Sequence, residues 1–284
     1  MYKLKYFLLC SMSFSSFSKT ALKSTFLFHK PVTPNQKIYS ELLSDETKQL
    51  IIVNGPAGTG KTLLACSKAI QDLQQSKIDK IVLTRPLITV EEEEMGFLPG
   101  NMVLKMDPWT KPIMDIFEMY YNPKALQEMI HNKVIEICPL GFMRGRTFKK
   151  CFILADEMQN SSPNQMLMLT TRLGENTKLV VMGDINQTDV KNTDNGFLDI
   201  INKYQDYKKF HVNSTLSIDY CLLDQTDILR SKVVTEVLNI YQFQKPFDLK
   251  SVSKTPLSFY SNKFKNSVND PSELDAAMIP KKLL

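Results

Sequence analysis

Eight residues, Gly55-Pro56-Ala57-Gly58-Thr59-Gly60-Lys61-Thr62, constrain this chain more than any other feature. They fit the pattern G-x-x-x-x-G-K-[ST] and stand between an apolar run at 50–53 and a stretch where Cys66, Ala69, Ile70 and Leu73 recur at i, i+3, i+4 and i+7. The run suits a buried strand and the period suits a helix with one apolar face, so the octapeptide reads as a strand-to-helix turn. Its glycines let the backbone curl with the N–H groups pointing inward, at a helix N-terminus whose partial positive charge favours an anion. The turn is therefore expected to cradle phosphates, with Lys61 reaching the outer ones and the Thr62 hydroxyl ligating magnesium.

Further apolar runs at 81–84, 134–138, 151–155 and 179–182 alternate with helix-period segments. Alternation of this kind predicts an α/β fold, a mainly parallel sheet with helices on both faces. A second helix start is marked at Ser162, with Pro163 at the first helical position and Gln165 where a capping box places it. Two of the strands end in groups that nucleotide chemistry would use. The run Cys151-Phe-Ile-Leu-Ala-Asp-Glu157 ends in paired carboxylates, of which Asp156 is expected to hold the metal and Glu157 to activate water. The run Lys178-Leu-Val-Val-Met-Gly-Asp-Ile-Asn-Gln187 brings Gln187 to a strand end, where it would sense the terminal phosphate or orient water.

Composition removes several other classes. The formal charge is +5, yet residues 1–40 hold six Lys and no acid, which leaves 29 basic against 30 acidic residues elsewhere. Global charge thus gives no support for nucleic-acid binding, and any such site must be local. Five cysteines lack any CxxC spacing and three histidines stand apart, so neither a disulfide framework nor a zinc site is indicated; Cys66 and Cys151 fall in apolar patterns as small buried hydrophobes. No stretch of 18 apolar residues occurs that would span a bilayer. Residues 1–35, rich in Ser and Lys and without acid, have the composition of an organelle (plastid or mitochondrial) targeting segment; the short apolar run Tyr6 to Cys10 also suits the start of a secretory signal, and an undirected disordered tail is the third reading. Residues 36–244 read as the globular domain, and 245–284 as a flexible tail.

From Gln36 to about Gln242 the chain resembles the PhoH family, RecA-like P-loop ATPases related to superfamily 1 helicase cores. The resemblance lies in the GPAGTGKT loop together with Thr84-Arg-Pro86, Gly96-Phe-Leu-Pro-Gly100, Arg144-Gly-Arg-Thr147, Asp156-Glu-Met-Gln-Asn160, Leu169-Thr-Thr-Arg-Leu-Gly174 and Gly183-Asp-Ile-Asn-Gln-Thr-Asp189. It implies a three-layer RecA-like fold, with Gln36 contacting adenine, Arg172 and Gln187 sensing phosphates, and Arg144 near the site. Asp227-Ile-Leu-Arg-Ser231 resembles the family's DVVRH segment with Ser231 in place of His, and it implies Arg230 as an arginine finger acting on a neighbouring subunit. The GE that the family carries before GFLPG stands here as Glu92-Glu93, without the glycine, and the run Glu91 to Glu94 otherwise reads as a solvated face.

The expected activity is magnesium-dependent ATP hydrolysis by a helicase-like motor or switch in RNA metabolism, working as a homo-oligomer. Glu157 directly after Asp156 favours hydrolysis over transfer to another substrate. A P-loop kinase for a small molecule and a slow nucleotide-gated binding module are the alternatives.

Overall fold

Three strand ends lie side by side in this molecule, and that juxtaposition builds the site. The strands are β1 (Leu50–Asn54), β2 (Lys80–Thr84), β3 (Ile135–Ile137), β4 (Cys151–Ala155), β5 (Lys178–Gly183) and β6 (Ile218–Leu222). They form one sheet in the order β3-β2-β4-β5-β1-β6, every pair parallel. The glycine-rich loop follows β1, the paired carboxylates follow β4, and β5 lies between them with Asp184 to Gln187 at its end. At about 4.8 Å per strand, the β1 and β4 ends stand about 10 Å apart.

The computed structural model describes residues 28–86, 102–188, 195–212 and 214–229, without the side chains of 102–109, and a few isolated positions up to 240. The described residues up to Leu229 belong to one compact unit, and those from 231 onward to a second. Most of the expected targeting segment, the tail at 245–284, the Glu91 to Glu94 run, the GFLPG motif and Arg230 lie outside the described residues. Phe28 packs against the core, ahead of the domain boundary expected at Gln36.

Among the described residues six α-helices flank the sheet: α1 (Pro34–Ser44), α2 (Lys61–Gln74), α3 (Met102–Tyr120), α4 (Pro123–His131), α5 (Pro163–Thr170) and α6 (Gly196–Phe210). Side chains alternate across a strand, so β1 divides its apolar run between two cores. Ile51 and Val53 join α1 to α4 through Tyr39, Ile70, Phe117 and Met129, whereas Leu50 and Ile52 join α5 and α6 through Leu169 and Phe197. The result is the expected three-layer α/β sandwich. Both faces of the central strands are covered, and for that reason they read as unbroken apolar runs. On α2 the predicted face of Cys66, Ala69, Ile70 and Leu73 is buried against the sheet. Truncating a fully buried residue such as Ile70 to Ala costs about 2–5 kcal/mol through lost transfer energy and the cavity left behind.

Two helices start alike. Ser162 caps α5 by a capping box with Gln165, and Thr33 caps α1 by the same arrangement with Gln36. The edge strand β6 is not among the expected runs. It has one neighbour and is only partly covered, with Leu222 exposed, and so carries no continuous apolar signal.

Candidate functional site

The loop from Gly55 to Thr62 is held from several sides. Gly60 has φ +86, in the left-handed region open to glycine, and starts α2 with no side chain capping it. The free N–H groups of that first turn therefore face whatever sits above the loop. A β-carbon on Gly55 would meet the Leu223 carbonyl oxygen at 2.7 Å, so the strand-to-loop junction admits only glycine. Thr59 is buried, and its hydroxyl donates to the Pro56 carbonyl at 2.8 Å.

A cleft of about 380 Å³ opens over this loop. Lys61, Thr62, Asp156, Glu157, Asp184 and Gln187 all line it, and Pro112 and Ile116 of α3 supply an apolar wall. The cleft thus gathers residues from β1, β4 and β5 that lie far apart in sequence. Lys61 Nζ donates to the Gly55 carbonyl and, at 2.9 Å, to that of Pro56. Burial pushes its pKa down, while Asp156, Asp184 and Glu157 pull it back. Burial also raises the Asp156 carboxyl to about 6, helped by the neighbouring Glu157 charge and opposed by the Glu157 N–H, Arg85 and Lys61. Arg85, at the end of β2, is thereby a member of the charge cluster. Its place in Thr84-Arg-Pro86 was the available signal, but spacing alone gave it no role.

The donor set suits a small hard cation. The Thr62 hydroxyl oxygen lies 3.4 Å from both oxygens of Asp156, putting a neutral and an anionic oxygen together at the mouth of the loop. Among the described residues no group of three or more His, Cys, Asp or Glu could hold a metal. Magnesium commonly uses one or two protein ligands with phosphate and water supplying the rest, and Thr62 with Asp156 fits that mode. Cys66, Cys138, Cys151 and Cys221 are buried and unpaired, as small hydrophobes.

Other expected residues are placed differently. All four hydrogen-bonding positions of the Gln36 amide are engaged: Oε1 accepts from the Val32 and Thr33 N–H groups at 2.9 and 3.4 Å, and Nε2 donates to the Thr59 and Asp227 carbonyls at 3.0 and 3.4 Å. Gln36 therefore braces the loop from behind. The structure does not bring Arg172 to the cleft. It follows α5, which runs from the end of β4 back towards the start of β5, so Arg172 lies at the opposite edge of the sheet. There its Nε donates to the Met168 carbonyl at 3.0 Å and its Nη1 to that of Arg146 at 3.4 Å. Exposed Arg144 is not among the cleft-lining residues either. Next to Arg230, the Leu229 N–H donates to the Gly58 carbonyl at 3.3 Å, which ties that segment to the loop.

A parallel sheet with a phosphate loop after β1 and a carboxylate pair after β4 defines a P-loop nucleotide-binding protein. The family profile described as "PhoH-like protein" matches residues 29–242, and the chain belongs to that family. It is 36% identical over 219 residues to a PhoH-like protein of Mycobacterium bovis, covering 76% of this chain and 59% of that protein. It is 37% identical over 196 residues to a PhoH-like protein of Bacillus subtilis, covering 69% of this chain and 59% of that protein. The chain thus spans less than two thirds of these relatives' length. Among solved structures it is similar to the HK97 bacteriophage large terminase, at 15% identity and a TM-score of 0.44, over 88% of this chain and 53% of that one. The fold assignment follows from the chain's own strand order and not from so distant a likeness.

Proposed function

We propose that this chain binds ATP with magnesium over residues 55–62 and hydrolyses it, as a helicase-like motor or switch acting on RNA. The observation that carries the reading is the position of Glu157, immediately after Asp156 and in one cleft with Gln187, above a loop built for phosphates. In this reading the loop N–H groups and Lys61 hold the β- and γ-phosphates, and Thr62 and Asp156 hold magnesium, which neutralises charge on the phosphate oxygens. Glu157 accepts a proton from water as its oxygen bonds to the γ-phosphorus, and the bond from that phosphorus to the bridging oxygen breaks to leave ADP. Gln187 orients the water, and Arg230 of a neighbouring subunit stabilises the charge that develops. Gln36 contributes by bracing Thr59.

The test is phosphate release from ATP by the purified full chain with magnesium, with and without single-stranded RNA. Acceptor-free release accelerated by RNA is the expected result. ATP consumption that requires an added small-molecule acceptor would favour a kinase, and retention without turnover would favour a nucleotide-gated binding module.

A further inference from the structure

Glu157 and the segment from Asp184 to Gln187 reach the cleft from different strands, and a single side chain joins them. Gln159 sits in the short 3-10 turn Met158–Asn160 and is only 2% exposed. Its Nε2 donates to Glu157 Oε2 at 2.6 Å and to the Gln187 carbonyl at 3.1 Å, while its Oε1 accepts from the Asp184 N–H at 3.3 Å. Its own carbonyl accepts from the Thr188 hydroxyl at 3.1 Å. Both amide hydrogens and the oxygen are therefore used, and the amide orientation is fixed, because a flipped oxygen would face the carboxylate. The space around it is equally tight: a β-carbon on Gly183 would stand 2.9 Å from Gln159 Oε1.

We propose that Gln159 is a positioning residue that holds the Glu157 carboxylate and the Gln187 segment as one unit, so that movement of either is transmitted to the other. This rests on the hydrolytic reading of the site. A general base works only when its oxygen is aimed at the water, and Glu157 needs an external brace, since its backbone occupies the left-handed region at φ 52 without being glycine. A charge-assisted bond of 2.6 Å to Oε2 supplies that brace and leaves Oε1 for the water. The same amide then reports the base's position to the Gln187 backbone beside it.

The experiment compares kcat for ATP hydrolysis, affinity for a fluorescent ATP analogue and melting temperature in the full-length wild type, Gln159→Ala, Gln159→Glu, Gln187→Ala and the Gln159→Ala/Gln187→Ala double variant. Gln159→Ala is expected to lower kcat about 10- to 100-fold, the range seen when a residue orienting a reactive group is removed, with analogue affinity within about 3-fold of wild type. The double variant should lose less than the product of the single losses, because both act through one unit. Should Gln159→Ala not fold, the near-isosteric Gln159→Glu decides: it replaces the donor with a second carboxylate facing Glu157, and a wild-type kcat there overturns the inference. So does a folded Gln159→Ala with unchanged kcat, or losses that multiply in the double variant. A wild type without turnover overturns the hydrolytic reading and this inference together, whereas an active wild type with an equally active Gln159→Ala removes this inference alone.

Discussion

At the C-terminal edge of the sheet Lys61, Asp156 and Glu157 crowd a single cleft, and burial moves Lys61 and Asp156 away from their ordinary titration. At the N-terminal edge Lys178 is also perturbed, its ammonium pushed down to about 8 by burial, yet its Nζ donates to the Leu43 and Asp45 carbonyls at 2.6 and 2.8 Å. Those carbonyls close the C-terminal end of α1, and Arg172 treats the end of α5 in the same way. A cation at a helix C-terminus satisfies orphan carbonyls and the helix dipole, so its shifted titration is structural. The perturbed groups of the upper edge face one another across a cleft instead, the arrangement that marks chemistry. A perturbed charge is thus informative about function only together with what its donors and acceptors touch.

The comparison breaks most visibly at Lys61. Lys61→Ala is expected to abolish turnover, by about 1000-fold or more, as for loss of a group that stabilises transition-state charge, while the melting temperature holds; a variant that still hydrolyses ATP would remove the loop from the mechanism. Next comes Glu157→Gln, expected to slow hydrolysis about 100- to 1000-fold, the contribution of a positioned base, and to leave ATP bound after gel filtration. Hydrolysis by Glu157→Gln at the wild-type rate would show that another group activates the water.

The Asp156 titration gives a smaller effect with a defined sign. Its folded pKa of about 6 stands above the ordinary 3.8, so the folded state binds this proton more readily, and the group's contribution to stability grows as pH falls through 6. Metal needs the ionised form, so magnesium-dependent nucleotide affinity should weaken about 4-fold between pH 7.5 and 5.5, by the fraction ionised. Isothermal titration at both pH values checks this. Asp156→Asn should bind weakly at both, without that part of the pH dependence.

The lower edge predicts the reverse pattern, small effects on activity and measurable effects on stability. Arg172→Ala should leave turnover within about 2-fold and lower the melting temperature by about 2–4 °C, equivalent to about 1 kcal/mol of lost hydrogen bonding. A 10-fold loss of turnover without any thermal shift would instead assign Arg172 to phosphate sensing. The smallest effect concerns Lys178, whose folded pKa of about 8 lies below the ordinary 10.5. The unfolded chain then binds more protons between those values, so stability from this group rises with pH across that window. Lys178→Met should flatten the rise, as read from melting temperatures at pH 8 and 10.

Much of this architecture was legible in the order of residues. The central strands announced themselves because burial on both faces demands continuous apolar runs, and the loop because only glycines adopt its turns beside a helix start. Pro108 and Pro112 obscured α3, since proline removes a main-chain donor and ordinarily ends a helix. The capping role of Gln36 was legible as well, since Thr33-Pro-Asn-Gln36 repeats the pattern of Ser162-Pro-Asn-Gln165 and the same capping geometry holds both glutamines.

What the chain's sequence determined by itself was local: a turn that cradles anions, apolar runs that must be buried, and carboxylates at a strand end. Each depends on residues within a few positions, where backbone conformation and side-chain type decide the outcome. The tertiary structure alone decided which strand ends became neighbours. Inserting β5 between β1 and β4 put the Gln187 segment beside Glu157 and let Gln159 join them, whereas the return direction of α5 carried Arg172 to the other edge. Such placements depend on strand order and helix direction, long-range properties that cooperative packing of two cores fixes and that no short window of residues contains.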